Sequence, residues 1–205
     1  MLRINHVMKD TRIAVIGAGM AGLTAALSLQ KNGFKPIVYE SAPELGEVGA
    51  GLTISPNSTH GLEYVGLADE LAKKANVTQT QAIMHYKTGE ILATSERGDI
   101  PRQKYGANYY QIHRADLHEM LCNTAEKNDP GCLVLGHAFK SYTERDDETE
   151  ITFANGDTVT CDVVIGADGV RSVVRGAMFG PEDPKFTGNV AYRGLIDKGN
   201  LPDDL

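Results

Sequence analysis

The stretch RIAVIGAGMAGLTAALSLQKNGFKPIVYE, residues 12–40, decides the predicted fold of this chain. It begins with the apolar, β-branched run 12–16, which predicts a strand buried on both faces. A glycine-containing turn then leads into helix-favouring residues that end at Gly33. Residues 36–40 predict a second strand. A strand, a helix and a strand in this order predict a parallel pair with a right-handed crossover, so the expected fold class is α/β.

The glycine spacing between this strand and helix predicts a site for the pyrophosphate of a dinucleotide. Gly17 permits the tight turn, Gly19 lets the backbone approach the ligand closely, and Gly22 lets the helix pack on the strand. The start of the helix adds unpaired N–H groups and the positive end of its dipole. The predicted site is therefore the whole turn: Gly17, Ala18, Gly19, Met20, Ala21 and Gly22.

An acidic residue closes the second predicted strand, since Glu40 follows Gly17 by 23 positions. A carboxylate here accepts hydrogen bonds from both hydroxyls of an adenosine ribose and repels a 2′-phosphate. The dinucleotide is therefore FAD or NAD rather than NADP, and we include the adjacent Ser41 in the predicted site. The alternative interpretation is a glycine-rich turn that holds no ligand.

A second glycine-containing turn, Asp168-Gly169, lies within the stretch CDVVIGADGVRSVVR, residues 161–175. The apolar run predicts a buried parallel strand whose carboxyl end lies at the same sheet edge as the first turn, beside any ligand bound there. We therefore expect Asp168 and Gly169 to converge with residues 17–22. In the alternative interpretation Asp168 only caps the next helix and the arginines are solvated. Asp162 is a candidate ion-pair partner for Arg175.

The other predicted elements run along the whole chain. They are a loop at 42–56, a helical region at 57–75 broken at Gly61 and Gly66, a hairpin at 81–94, irregular structure at 95–108, a strand at 107–112, a helix at 115–128, three strands between 132 and 156 with a turn at Asn155-Gly156, one buried strand at 158–168, a short helix at 170–178 and a strand at 190–196. The three strands predict a small antiparallel meander.

Composition excludes several classes of function. The 205 residues suffice for one domain and part of a second. A net charge of −7 argues against a nucleic acid partner, which needs a basic surface. No apolar run approaches the roughly 20 residues of a membrane span. Three cysteines without C-x-x-C spacing predict no disulfide framework and no metal site, and they fit a reducing cytoplasm.

These motifs together resemble the FAD-dependent aromatic hydroxylases, the single-component flavoprotein monooxygenases typified by para-hydroxybenzoate and salicylate hydroxylases. The matching stretches are IAVIGAGMAGLTAALSLQKNG with VYE, GEVGAGLTISPN, YYQIHRADLHEML, CDVVIGADGVRSVVR and VAYRGLI. They occur in the family's order along nearly the whole chain. The Asp-Gly turn followed by Arg-Ser and Arg is far more specific than the first glycine motif alone.

The resemblance implies a cofactor and residues that hold it. It implies FAD, with its pyrophosphate on the first turn and its adenosine ribose on Glu40. It implies that Arg114 contacts FAD and that Gly51 and Leu52 lie near the flavin ring. Asp168 would serve FAD and a transient NADH or NADPH. Thr53 stands where some relatives carry a histidine near substrate, so the catalytic base stays unassigned.

The activity that the resemblance implies is hydroxylation of a phenolic or heteroaromatic acid with O₂ and NAD(P)H. The alternatives are a non-hydroxylating FAD oxidoreductase and a non-catalytic dinucleotide-binding module. The family's later Gly-Asp, Ala-His and Pro motif does not occur, so we expect a truncated enzyme that turns over poorly or not at all by itself. Its domains would be a Rossmann-like FAD-binding domain at 1–180, with an inserted segment at 76–110, and the start of a substrate-domain sheet at 181–205. A homodimer is compatible with the resemblance.

Overall fold

The computed structural model describes residues 10–46, 50–192 and 197–200, without the side chain of Lys198. Its first unit is strand β1 (Ile13–Ile16), helix α1 (Met20–Lys31) and strand β2 (Ile37–Tyr39). The two strands pair in parallel, as the sequence predicts. The helix ends at Lys31 with Asn32 as its C-cap, and Gly33 follows with a φ of +86°, a left-handed conformation that favours glycine.

The remaining elements follow in chain order. They are β3 (Gly51–Ile54), α2 (Pro56–Tyr64), α3 (Ala68–Lys74), β4 (Asn76–Val77), β5 (Thr80–Met84), β6 (Ile91–Glu96), α4 (Ile100–Tyr105), β7 (Tyr110–His113), α5 (Arg114–Asn128), β8 (Leu133–Val134), β9 (Phe139–Arg145), β10 (Glu148–Phe153), β11 (Thr158–Cys161), β12 (Val163–Gly166) and α6 (Val173–Phe179). A short 3₁₀ turn spans Lys198–Asn200. Among the described residues, no helix is long and apolar enough to cross a membrane.

The central layer is a parallel sheet with the strand order β12–β1–β2–β8. All four carboxyl ends therefore lie at one edge. Successive residues of β1 face opposite sides, as the period of a strand requires. Ile13 and Val15 join the core under α1 and α5, while Ala14 and Ile16 join a second core against the antiparallel meander β9–β10–β11. The strand is thus buried on both faces because it lies between two layers.

The predicted single strand at 158–168 is wrong, because the chain forms two strands that change sheets at Asp162. Strand β11 completes the meander and β12 pairs in parallel with β1. Asp162 fixes this change of direction, since its carboxylate accepts from the Arg12 side chain at 2.5 Å and from the Arg12 backbone N–H at 2.8 Å. Strand β12 is also not fully buried, because it is the outermost strand of the parallel sheet, and Val163 is 41% exposed.

Three further expectations differ from the structure. The predicted loop at 42–56 contains β3, which pairs antiparallel with β7. The predicted irregular stretch at 95–108 contains α4. Gly61 lies inside α2 rather than breaking it, whereas Gly66, with a φ of +92°, does separate α2 from α3. The predicted hairpin is confirmed as β5 with β6.

The predicted strand at 190–196 is only partly covered. Residues 190–192 carry no strand, and residues 193–196 lie outside the described residues.

Candidate functional site

Gly17 forms the tight turn at the end of β1. Its φ is +104°, and its N–H donates to the carbonyl oxygen of Tyr39 at 2.8 Å. A Cβ at this position would lie 2.6 Å from the carbonyl oxygen of Ala167. Both the backbone conformation and this close approach therefore require glycine.

Gly19 and Gly22 require glycine for different reasons. A Cβ on Gly22 would lie 1.9 Å from the carbonyl oxygen of Gly17, so helix α1 sits on the turn at a distance that only glycine permits. Gly19 precedes α1 in an extended conformation, and a Cβ there would meet no described atom within 4 Å. Nothing in the described protein explains glycine at this position. The open space fits the close approach of a ligand, as predicted for a pyrophosphate.

The two glycine-containing turns converge, as the sequence predicts. The Ala167 N–H donates to the carbonyl oxygen of Ile16 at 2.8 Å, and the Cβ position of Gly17 is 3.1 Å from the Asp168 Cα. Gly169 completes the second turn with a φ of +83°. Parallel pairing of β12 with β1 brings both turns to one edge of the sheet.

The Asp168 carboxylate holds the start of helix α6. It accepts from the N–H groups of Val173 at 2.6 Å and Val174 at 3.1 Å, and from the Ser172 hydroxyl. Burial raises the pKa of Asp168, but these hydrogen bonds outweigh it and bring the pKa below its ordinary value. The helix cap itself is Ser172, whose Oγ accepts from the Arg175 N–H at 2.9 Å. Asp168 thus combines the predicted ligand-side position with the alternative, structural role.

The suggested ion pair between Arg175 and Asp162 is wrong. Asp162 pairs with Arg12, while Arg175 donates to the carbonyl oxygen of Val170 at 3.3 Å.

Glu40 lies directly beside the first turn. One carboxylate oxygen accepts from the Ala18 N–H at 2.7 Å, and the other accepts from the Ala42 N–H at 2.9 Å and the Ser41 hydroxyl at 2.8 Å. Burial raises the pKa of Glu40, but the Ala42, Ala18 and Ser41 hydrogen bonds outweigh it and lower the pKa. The side chain is therefore ionised and fixed, and its remaining lone pairs can accept from ribose hydroxyls.

A cleft of about 350 Å³ opens at this sheet edge. Five predicted residues line it: Gly17, Gly19, Glu40, Ser41 and Asp168. The cleft also has a wall that the sequence does not predict, formed by His137, Ala138 and Phe139. These residues follow β8, the fourth parallel strand. The prediction that residues 132–136 belong to the antiparallel meander is wrong, because β8 pairs in parallel with β2. The carboxyl-end rule applied to β8 places the residues after it at the site.

His137 is firmly oriented in this wall. Its Nδ1 lies 2.7 Å from the carbonyl oxygen of Leu135, and its Nε2 lies 3.0 Å from the Asp157 carboxylate. Its ring also packs edge-on against Phe153 at 5.0 Å. The wall thus contains a histidine ring whose orientation is set by two polar partners and one aromatic neighbour.

The other predicted contacts form a second group. Gly51 pairs with His113 and Leu52 with Ile112 across β3 and β7, and the Arg114 N–H donates to the carbonyl oxygen of Ala50 at 3.1 Å. Gly51 and Leu52 lie in a strand rather than in the predicted loop, and Arg114 begins α5. None of the three is among the cleft-lining residues. Pairing of β3 with β7 thus places Gly51 and Leu52 close to Arg114.

His118 connects helix α5 to the first turn. It is 7% exposed, and its Nε2 lies 2.6 Å from the carbonyl oxygen of Ala18. Arg114 lies one helical turn earlier, on the same face of α5. No role for His118 is predicted from the sequence, because no local pattern indicates that its partner is 100 residues away.

Known proteins resemble this chain in sequence and in fold. A family model described as an FAD binding domain matches residues 10–184. The chain is 40% identical over 200 residues to 3-amino-4-hydroxybenzoate 2-monooxygenase PtmB3 of Streptomyces platensis, covering 97% of the chain and 50% of that protein. It is 36% identical over 201 residues to 6-hydroxynicotinate 3-monooxygenase of Pseudomonas fluorescens, covering 96% and 51%.

A solved structure is similar as well. The 2,6-dihydroxypyridine-3-hydroxylase from Arthrobacter nicotinovorans superposes with a TM-score of 0.77 at 28% identity, over 95% of this chain and 46% of that one. The chain therefore spans about half the length of the curated relatives it matches.

Proposed function

We propose that this chain, which belongs to the FAD binding domain family, is the FAD-binding part of a monooxygenase that hydroxylates a phenolic or heteroaromatic acid. The convergence of the two glycine-containing turns beside Glu40 carries the proposal. The named relatives act on 3-amino-4-hydroxybenzoate and 6-hydroxynicotinate, which supports a substrate of this class. The domain boundaries we propose are 1–180 and 181–205, with the 76–110 segment facing the substrate region.

The residues present fit the cofactor. Gly19 leaves open space for a pyrophosphate at the N-terminus of α1, and Glu40 accepts from the adenosine ribose. The wall formed by His137, Ala138 and Phe139 borders the same cleft and suits the adenine. We assign the flavin end to Gly51, Leu52 and Arg114 on the β3–β7 pair. When bound, the flavin supplies the redox chemistry, with NADH or NADPH as reductant and O₂ as oxidant.

The other partners follow from the same proposal. The protein's own residues orient the cofactor, and Asp168 keeps the second turn in place by anchoring α6.

Because the three cysteines are free and buried, we propose the cytoplasm as the location. We propose no assignment of the catalytic base, and a homodimer remains part of the hypothesis.

The first experiment measures FAD binding by the 205-residue chain. Titration should quench flavin fluorescence, and the protein should remain yellow after gel filtration. Loss of all flavin would refute the cofactor assignment.

The second experiment uses the longer enzyme of which we propose this chain to be part. Phenolic and heteroaromatic acids should stimulate NADH or NADPH oxidation, and ¹⁸O from labelled O₂ should enter the product. Oxidation without label in the product would favour a non-hydroxylating oxidoreductase, and the absence of any stimulated oxidation would favour a binding module.

A further inference from the structure

The buried histidine His118 makes a contact that apolar packing alone does not require. It lies on the face of α5 that packs against α1, where most neighbours are apolar. Its Nε2 is 2.6 Å from the carbonyl oxygen of Ala18. A carbonyl oxygen only accepts, so Nε2 carries the proton and donates it. A buried imidazole without such a bond would be costly, so this hydrogen bond accounts for the presence of a polar side chain.

The contact falls at the centre of the predicted pyrophosphate turn. Ala18 is held from two directions, because its N–H donates to Glu40 at 2.7 Å and its carbonyl accepts from His118. The described chain contains no cis peptide bond, so the Ala18–Gly19 peptide is trans. In a trans peptide the carbonyl oxygen and the following N–H point in opposite directions. The Gly19 N–H therefore points away from His118.

The two sides of this peptide face different surfaces. Gly19 lines the cleft with Glu40 and Asp168, whereas His118 borders a separate depression on α5 together with Ala115 and Cys122. A hydrogen bond on the α5 side thus directs the Gly19 N–H toward the cleft side, where a Cβ on Gly19 would also meet open space.

We infer that His118 is a positioning residue for the dinucleotide. By holding the Ala18 carbonyl, it fixes the orientation of the Ala18–Gly19 peptide and presents the Gly19 N–H to the ligand's pyrophosphate. This inference rests on the proposed FAD site. Without the imidazole, the Ala18 carbonyl loses its buried donor, and rotation of the peptide toward other donors would turn the Gly19 N–H from the ligand.

The test compares side chains of different reach at position 118 in the 205-residue chain. The glutamine side chain in His118→Gln places an amide N–H near the position of the histidine Nε2. The asparagine side chain in His118→Asn is too short to reach the Ala18 carbonyl oxygen. Cys122→Ala is the control for packing, because the Cys122 Sγ lies 3.8 Å from both ring nitrogens of His118 and its removal leaves the imidazole donor to Ala18 in place. FAD affinity is measured by flavin fluorescence, and ³¹P NMR of bound FAD reports the pyrophosphate surroundings.

We expect His118→Asn to weaken FAD binding by at least about tenfold, as for a buried acceptor left unsatisfied. His118→Gln should stay within about threefold of the wild type, as should Cys122→Ala, since in both the Ala18 carbonyl keeps a donor. The ³¹P resonances should shift in the Asn variant alone.

Equal affinities for the Asn and Gln variants, whether both unchanged or both lost, would overturn the inference. Unchanged ³¹P resonances in His118→Asn would do the same. If the wild-type chain itself binds no FAD, the proposed function fails instead, so the two failures are distinguishable.

Discussion

Adding one methyl group at Gly19 and one at Gly22 separates ligand binding from folding. Both residues belong to the same turn, and both changes are glycine to alanine. At Gly19 the new Cβ meets no described atom within 4 Å, and the backbone angles, φ −73° and ψ 179°, suit any residue. At Gly22 the new Cβ lies 1.9 Å from the carbonyl oxygen of Gly17.

The magnitudes follow from these contacts. A Cβ essentially never approaches another atom within 3.0 Å, so α1 must move by about 1.1 Å in Gly22→Ala. Because the obstacle is backbone, we expect a loss of about 3 kcal/mol, the upper part of the range for overpacking. Alanine is a poorer N-cap residue than glycine, which destabilises Gly19→Ala. Alanine also makes the unfolded chain less flexible, which stabilises the folded protein. Because the two effects oppose each other, we expect the free energy of unfolding to stay within about 1 kcal/mol of the wild type.

The assays are thermal unfolding without FAD and fluorescence titration with FAD. For a chain of this size, about 3 kcal/mol lowers the melting temperature by about 6–12 °C, and we expect this in Gly22→Ala. Gly19→Ala should melt near the wild type yet bind FAD at least tenfold more weakly, a loss of about 1.4 kcal/mol or more. If Gly19→Ala keeps full FAD affinity, the ligand does not approach this turn as argued. If Gly22→Ala melts like the wild type, the close helix packing is wrong.

Other predictions concern the carboxylates and the thiols. Glu40→Ala should weaken FAD binding by about 1.5–3 kcal/mol, the value of hydrogen bonds to a charged group, and an unchanged dissociation constant would remove Glu40 from the site. Because the folded pKa values of Glu40 and Asp168 are lowered, their stabilisation is complete above the ordinary glutamate pKa of 4.5 and is lost as the pH falls through the folded values. Urea midpoints from pH 7 to 3 should record this loss, and Glu40→Gln should reduce it; equal acid sensitivity in both proteins would contradict the assignment. Burial, with Glu126 nearby, raises the pKa of Cys132 to about 11, and all three cysteines are buried, so a disulfide reagent should label none in the native protein and all three in denaturant. Rapid native labelling would show that the thiols are accessible.

Local sequence patterns are sufficient to predict the strands and helices whose apolar residues follow a regular spacing. The apolar run of β1, the helix formers of α1 and the glycine spacing agree with one another, so β1, α1 and β2 were predicted correctly. The convergence of the two turns was also predictable, because it needs only the rule that parallel strands share an edge.

Elements that depend on distant partners were not predictable in this way. Residues 51–54 are rich in loop-favouring neighbours, and they form β3 only because β7, almost 60 positions later, pairs with them. Gly61 remains helical because Pro56 starts α2 and Leu62 packs into the core, and this packing outweighs the low helix propensity of glycine. The break between β11 and β12 at Asp162 depends on Arg12, which lies 150 positions earlier in the sequence.

The distribution of hydrogen bonds in the first turn explains why its most informative partner was missed. A glycine motif identifies where the backbone can approach a ligand, but it does not say which peptide groups the protein occupies itself. In this chain Glu40 takes the Ala18 N–H and His118 takes the Ala18 carbonyl. The turn's peptide N–H groups after Ala18 are then the ones left to donate to a ligand. Their direction depends on side chains outside the motif. The motif therefore predicts the location of the site, while the long-range contacts of Glu40 and His118 determine which way its donors point.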